Sequence, residues 1–128
     1  MDIEYIQTPD APAPAGHYSQ ATVHNGIVYV SGQLSIDSRT GERLLGSIDA
    51  QTRQVLDNIS AILKASGSDL SRVLKMTIYV SDIGLWDAVN SAYMEVMGDH
   101  RPARAVVPTS SLHYGFQIEI EAIAAVNT

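Results

Sequence analysis

The 128 residues are 45% hydrophobic, enough for one core and too few for two ordinary domains, so a single domain over 1–128 is expected. A formal net charge of −6 without a basic stripe argues against a phosphate backbone as partner, and so against nucleic-acid binding. With no cysteine, disulfides and thiolate catalysis are excluded and nothing points to an oxidising compartment.

The first residues, Met1-Asp2-Ile3-Glu4-Tyr5, are acidic and lack the apolar stretch of a secretory signal. No apolar run is long enough to cross a bilayer, so a cytoplasmic address and no membrane partner are expected. Residues 3–6 read as a short edge strand, after which Pro9, Pro12 and Pro14 hold the chain extended and outside a central sheet. Strands over 19–24 and 27–31 flank Asn25-Gly26, a dipeptide that accepts positive φ at both centres of a type I′ turn, which predicts a hairpin. Turns follow at 37–41 and 46–47, and Asp49 is the expected N-cap of a helix. That helix carries Val55, Leu56, Ile59, Ile62 and Leu63 on one stripe, puts Gln51, Arg53, Gln54, Asp57 and Lys64 on the wet side, and stops at Gly67. Residues 73–80 read as a strand with Leu74, Met76, Ile78 and Val80 on one face. A second helix over 85–97 follows the stripe Trp86, Val89, Tyr93, Val96 and ends at Gly98.

In the last quarter, Arg101-Pro102-Ala103-Arg104-Ala105-Val106-Val107 and Gln117-Ile118-Glu119-Ile120-Glu121-Ala122-Ile123-Ala124 alternate at period two and read as two strands, entered at Pro102 in the first case. Paired in one sheet, they could bring Arg104 and Glu119 together. A guanidinium beside a carboxylate can hold an anionic substrate and position a water at once. The alternatives are a surface ion pair and a snorkelling arginine. Glu119 and Glu121 share a face by strand period, and the period does not choose between them.

The element order β-β-α-β-α-β-β, with an optional strand at the amino terminus, predicts an α+β domain: a mixed sheet of five to six strands with two helices on one face and the other face bare. A bare sheet face needs a partner. Tyr29-Val30-Ser31-Gly32 and Tyr79-Val80-Ser81-Asp82 hint at two related halves in a match too short to prove duplication. No glycine-rich phosphate loop occurs, so no nucleotide cofactor is expected. His17, His24, His100 and His113 show no paired spacing on one helix face, so no metal is expected. Ser31, Ser110 and Ser111 lack a nucleophile-elbow context.

Five segments carry a more specific signal: Gly16-His17-Tyr18-Ser19-Gln20-Ala21, Val30-Ser31-Gly32-Gln33, Gln51-Thr52-Arg53-Gln54-Val55-Leu56-Asp57-Asn58-Ile59, Pro102-Ala103-Arg104, and Glu119-Ile120-Glu121-Ala122-Ile123-Ala124. In this order and spacing, over 13–125, the chain resembles the RidA/YjgF/UK114 family of enamine and imine deaminases, also named for an L-PSP endoribonuclease. The resemblance implies a chorismate-mutase-like fold assembled as a homotrimer, with sheets facing inward and ligand clefts between subunits. It implies that Arg104 grips the substrate carboxylate, that Glu119 holds or activates the attacking water, and that Tyr18, Ser31, Gly32 and Asn90 line the cleft. For Tyr18 and Asn90 the alternatives are core packing and a helix-surface amide.

The implied reaction is that of a cofactor-independent 2-iminobutanoate/2-iminopropanoate deaminase-like hydrolase: water adds to the C=N carbon of a 2-imino acid, ammonia leaves, and a 2-keto acid is released. A trimeric module that binds or senses small carboxylates without turnover would use nearly the same residues. Ribonuclease activity is opposed by the acidic charge. Three departures from the family pattern stand out: His17 where proline is common, Ala105-Val106 where many relatives place serine followed by cysteine or threonine, and Leu112-His113-Tyr114-Gly115 where they carry Leu-Pro-Lys-Gly.

Overall fold

A computed structural model describes residues 2–128. Strand β1 (Glu4–Ile6) leads through an extended proline-bearing segment to a hairpin of β2 (Ala21–His24) and β3 (Ile27–Gln33). Helix α1 (Ile48–Ala65), strand β4 (Val73–Val80), helix α2 (Trp86–Met97) and strands β5 (Ala103–Pro108) and β6 (Ile118–Ala125) follow. The expected order is observed, with the optional first strand present. Asn25 (φ 52°) and Gly26 (φ 76°) take the left-handed conformations that the hairpin requires.

The strands form one six-stranded sheet in the order β1-β2-β3-β6-β4-β5. Neighbours are antiparallel except β4 and β5, which run parallel and so need the crossover that α2 supplies. β3 and β4 both run antiparallel to β6, so α1 connects two like-directed strands with β6 between them. The last strand thus inserts into the middle of the sheet.

Both helices cover the same face. Val28, Val30, Met76, Ile78, Ile118 and Ile120 from the sheet pack with Val55, Ile59, Ile62 and Leu63 of α1 and Val89 and Tyr93 of α2 in one buried cluster. Each fully buried aliphatic side chain stabilises the fold by about 1.5–3 kcal/mol before chain entropy is charged against it. On the opposite face Tyr29, Leu74 and Val107 are exposed, as the bare-face expectation holds.

Three local expectations are corrected. Ser47, not Asp49, caps α1: its hydroxyl accepts from Ala50 N (3.2 Å), which starts the helix at Ile48. Leu74 does not share a face with Met76, Ile78 and Val80. The β4–β6 register shifts between Val73 and Lys75, so Val73 turns inward and Leu74 is left 48% exposed; one extra residue in a strand resets the parity of all that precede it. Gln51 is not on the wet side. It is 1% exposed, donates to Gly46 O and Gln117 Oε1, and accepts from Gln117 N (3.0 Å). The amide ties the start of α1 to the start of β6.

Candidate functional site

Within one chain, Arg104 and Glu119 are not together. β4 lies between their strands, with Arg104 opposite Met76 and Glu119 opposite Tyr79. Met76 faces the helices and Tyr79 the open side, so the two charged groups project from opposite faces of the sheet, three residues apart along β4. Each lines its own cavity.

The Glu119 cavity, about 440 Å³, is lined by Tyr18, Ser31, Gly32, Leu34, His113, Tyr114 and Glu119 together with Ala15 and Gly16. It opens where β3 is irregular: Val30 pairs with Ala122 and Gln33 with Ile120, so one extra residue bulges at Ser31-Gly32. Bulges bend a strand and re-aim what lies beside it. The room is taken by the acid, since a Cβ built on Gly32 would fall inside van der Waals contact of Glu119 Oε2 and 3.1 Å from its Cδ. Glycine at 32 is thus a space requirement set by the carboxylate. Ser31 N bonds Gln20 O (2.9 Å) and its hydroxyl donates to Ser19 O (2.6 Å), leaving that oxygen free to accept from a ligand. Tyr18 is half exposed at the mouth, and its hydroxyl accepts from Ala15 N (3.2 Å). It is a cavity wall and not a core residue.

Burial pushes the Glu119 carboxyl above its ordinary value of 4.5, the His113 imidazole pulls it back, and the Glu121 carboxylate adds to the rise. Glu119 and Glu121 share the open face as period two requires. Glu121 accepts a hydrogen bond from Tyr79 OH (2.6 Å) and does not line the larger cavity. Both glutamates also border a smaller hollow with Tyr79 and Thr109 on the open face.

The Arg104 cavity, about 450 Å³, lies at the other end of the sheet, where edge strand β5 meets α2, and includes Asn90, Tyr93, Met94, Arg101 and Arg104. Arg104 Nη1 donates to Asn90 Oδ1 (2.9 Å), and its guanidinium carbon lies 5.0 Å from the Tyr93 ring centre and 5.6 Å from that of Trp86. Cation–π contacts of this kind hold a guanidinium without neutralising it. The ion pairs among the described residues are Arg39–Asp37, Arg53–Asp49 and Arg53–Glu95, so no carboxylate there takes Arg104. Burial raises the Tyr93 phenol, with Arg104 opposing, and its hydroxyl has no hydrogen-bond partner.

Asn90 is therefore more than a surface amide. Of the predicted packing stripe, Tyr93 is in the core, whereas Trp86 is exposed beside Arg104. The signal was present: Trp86, Asn90 and Tyr93 are spaced i, i+4, i+7 and share one side of α2. Gln20 was missed as a support. It is buried, accepts from Thr8 N (2.7 Å) and donates to Thr8 O, Ala11 O and Pro12 O (2.9 Å), fixing the segment that leads to Tyr18. Among the described residues no group of three or more His, Asp or Glu is placed to hold a metal ion, and no helix is long and apolar enough to cross a membrane.

Comparison with known proteins agrees with this architecture. Residues 8–126 match the family model described as endoribonuclease L-PSP. A RutC family protein of Pyrococcus horikoshii is 46% identical over 94% of this chain and 96% of its own length. The 2-iminobutanoate/2-iminopropanoate deaminase of Capra hircus is 41% identical over 93% of this chain and 87% of its own. The crystal structure of E. coli TdcF with bound serine superposes with a TM-score of 0.92 at 31% identity, covering 97% of this chain and 99% of that one. The chain belongs to the RidA/YjgF/UK114 family, with the α+β, chorismate-mutase-like fold. Its relatives include enamine/imine deaminases, which sets the enzyme class at family level.

Proposed function

We propose that the chain acts as a homotrimeric, cofactor-independent hydrolase that converts 2-imino acids, formed from enamines such as 2-aminoacrylate, into 2-keto acids and ammonia. The observation that carries this reading is the complementarity of the two cavities. One holds a half-buried carboxylate with no arginine lining it. The other holds a caged guanidinium that no carboxylate neutralises. A head-to-tail ring of three chains would set the Arg104 cavity of one copy against the Glu119 cavity of the next and complete three equal sites, while covering the open sheet face.

In such a cleft the partner subunit's Arg104 takes the substrate carboxylate in a bidentate grip, which fixes the adjacent C=N carbon. Glu119 accepts a proton from the water that adds to that carbon, and the tetrahedral amino alcohol forms. Proton transfer to nitrogen lets ammonia depart as the C–N bond breaks, leaving the keto acid; one water is consumed per ammonia released. A carboxyl raised by burial is a better proton acceptor than a fully solvated one. Tyr18, Ser31 and Gly32 shape the cavity around the reacting carbon, and Asn90 aims the arginine. Serine bound to TdcF, a small amino acid with a carboxylate, is in keeping with this chemistry. The net charge of −6 favours a small acid over RNA as substrate.

Generating 2-aminoacrylate or 2-iminobutanoate in place with a dehydratase and following keto-acid release tests the reading. Arg104→Ala is expected to lower the enzyme-dependent rate by about 100-fold or more. Equal rates for wild type and variant would leave only the alternative, a trimeric module that binds small carboxylates without turnover.

A further inference from the structure

The wall of the Glu119 cavity opposite the β3 bulge is made by His113 and Tyr114. Tyr114 has φ 57° and ψ 18°, the left-handed region that a tyrosine rarely adopts, and such outliers persist only where surrounding contacts hold them. Those contacts are present. The Arg43 guanidinium carbon lies 3.6 Å from the Tyr114 ring centre, and the buried Phe116 meets the ring edge-on at 6.3 Å. Arg43 is itself fixed by the Ile36–Arg43 bridge and by Ser35, which bonds Leu44 through backbone and hydroxyl. The half-exposed ring is thus backed by a cation on one side and met by an aromatic edge on another.

We infer that Tyr114, backed by Arg43, determines specificity at this cavity and selects 2-imino acids with an aromatic side chain. The inference rests on the deaminase reading and adds the substrate class. On one chain the cavity spans about 440 Å³, before the partner subunit's Arg104 enters it. Beyond the polar Glu119, His113 and Ser31, its wall offers the rings of Tyr18 and Tyr114 and the aliphatic Leu34, surfaces that suit an arene. Arg43 does not line the cavity, because the Tyr114 ring stands over its guanidinium, so the far end does not present that charge to an acidic side chain.

The test uses imines of phenylalanine, alanine and glutamate generated by an amino-acid oxidase, with calorimetric binding of phenylpyruvate and pyruvate alongside. Wild type is expected to give its highest kcat/KM with the phenylalanine imine. Tyr114→Ala is expected to lower that value about tenfold while the alanine imine stays within about twofold, and Tyr114→Phe to keep the wild-type preference. A fall by the same factor for all three imines, or a wild-type preference for the alanine or glutamate imine, overturns the inference. Absence of turnover with every imine sinks the deaminase reading instead, and binding then decides. Weaker phenylpyruvate but unchanged pyruvate binding in Tyr114→Ala supports the selector role; equal changes refute it.

Discussion

The two cavities hold their functional groups by different physics. Around Glu119 the backbone does the work: a bulge opens the strand, a missing Cβ at Gly32 admits the carboxylate, and burial shifts its proton affinity. Around Arg104 side chains do it, with an amide on one nitrogen and two rings near the cation. An acid made basic by burial gains from exclusion of water, whereas an arginine needs only direction, because its charge does not titrate in the accessible range. On the proposed reading the pair divides the task of one site between two surfaces of one chain.

The sharpest way to break that comparison is to disable each half in separate chains. Homotrimers of Arg104→Ala and of Glu119→Gln are each expected to be inactive. After the two are unfolded together and refolded at equal amounts, about a quarter of the sites regain both groups, since each needs an intact Glu119 from one copy and an intact Arg104 from its neighbour. Keto-acid release near a quarter of wild type supports the shared cleft, and no recovery places both groups in one chain's site. Next in size, Gly32→Ala should cost about tenfold in kcat, because the carboxylate must move from where the bulge now admits it. A kinetic comparison with Gly26→Ala, remote from the cavity, checks that the loss is local.

The smallest effect concerns pH. Because the Glu119 carboxyl is raised in the folded chain, the native state binds more protons than the unfolded one between the two values. Stability contributed by this group is full below the unfolded value and is lost as pH rises through the folded one. Glu119→Gln is thus expected to melt at or above the wild-type temperature at pH 7, with the advantage fading at acid pH, while activity disappears. Melting curves at both pH values decide it, and a variant less stable at pH 7 contradicts the assigned shift.

Much of the fold was legible because its signals are local. Asn25-Gly26 specifies its turn through backbone sterics, and β6 alternates buried and half-buried without a fault, so both glutamates fall on one face as read. What escaped depends on distant partners. The Leu74 reversal follows from a bulge whose other strand is some fifty residues away, and Gln51 is buried because Gln117 receives it. The Arg104–Glu119 pairing was read from two strands adjacent in the chain. Period two places each residue on a face but does not reveal that β4 separates them or which registers it imposes. That separation is why the proposed site needs two copies of the chain. Tyr93 packs in the core as its stripe predicts and also flanks the Arg104 cation, whereas Trp86 of the same stripe is exposed beside it; an aromatic ring reads the same in sequence whether it fills a core or steadies a cation.

The Gln20 amide has a mechanical consequence for the mouth of the Glu119 cavity. One side chain gathers four main-chain groups between Thr8 and Pro12, so this polar latch, together with the buried Ala11, secures the approach to Tyr18. Loss of that one amide would leave four main-chain groups without their partner at once, while the strand pairing behind them is untouched. The doorway can loosen without the house coming down.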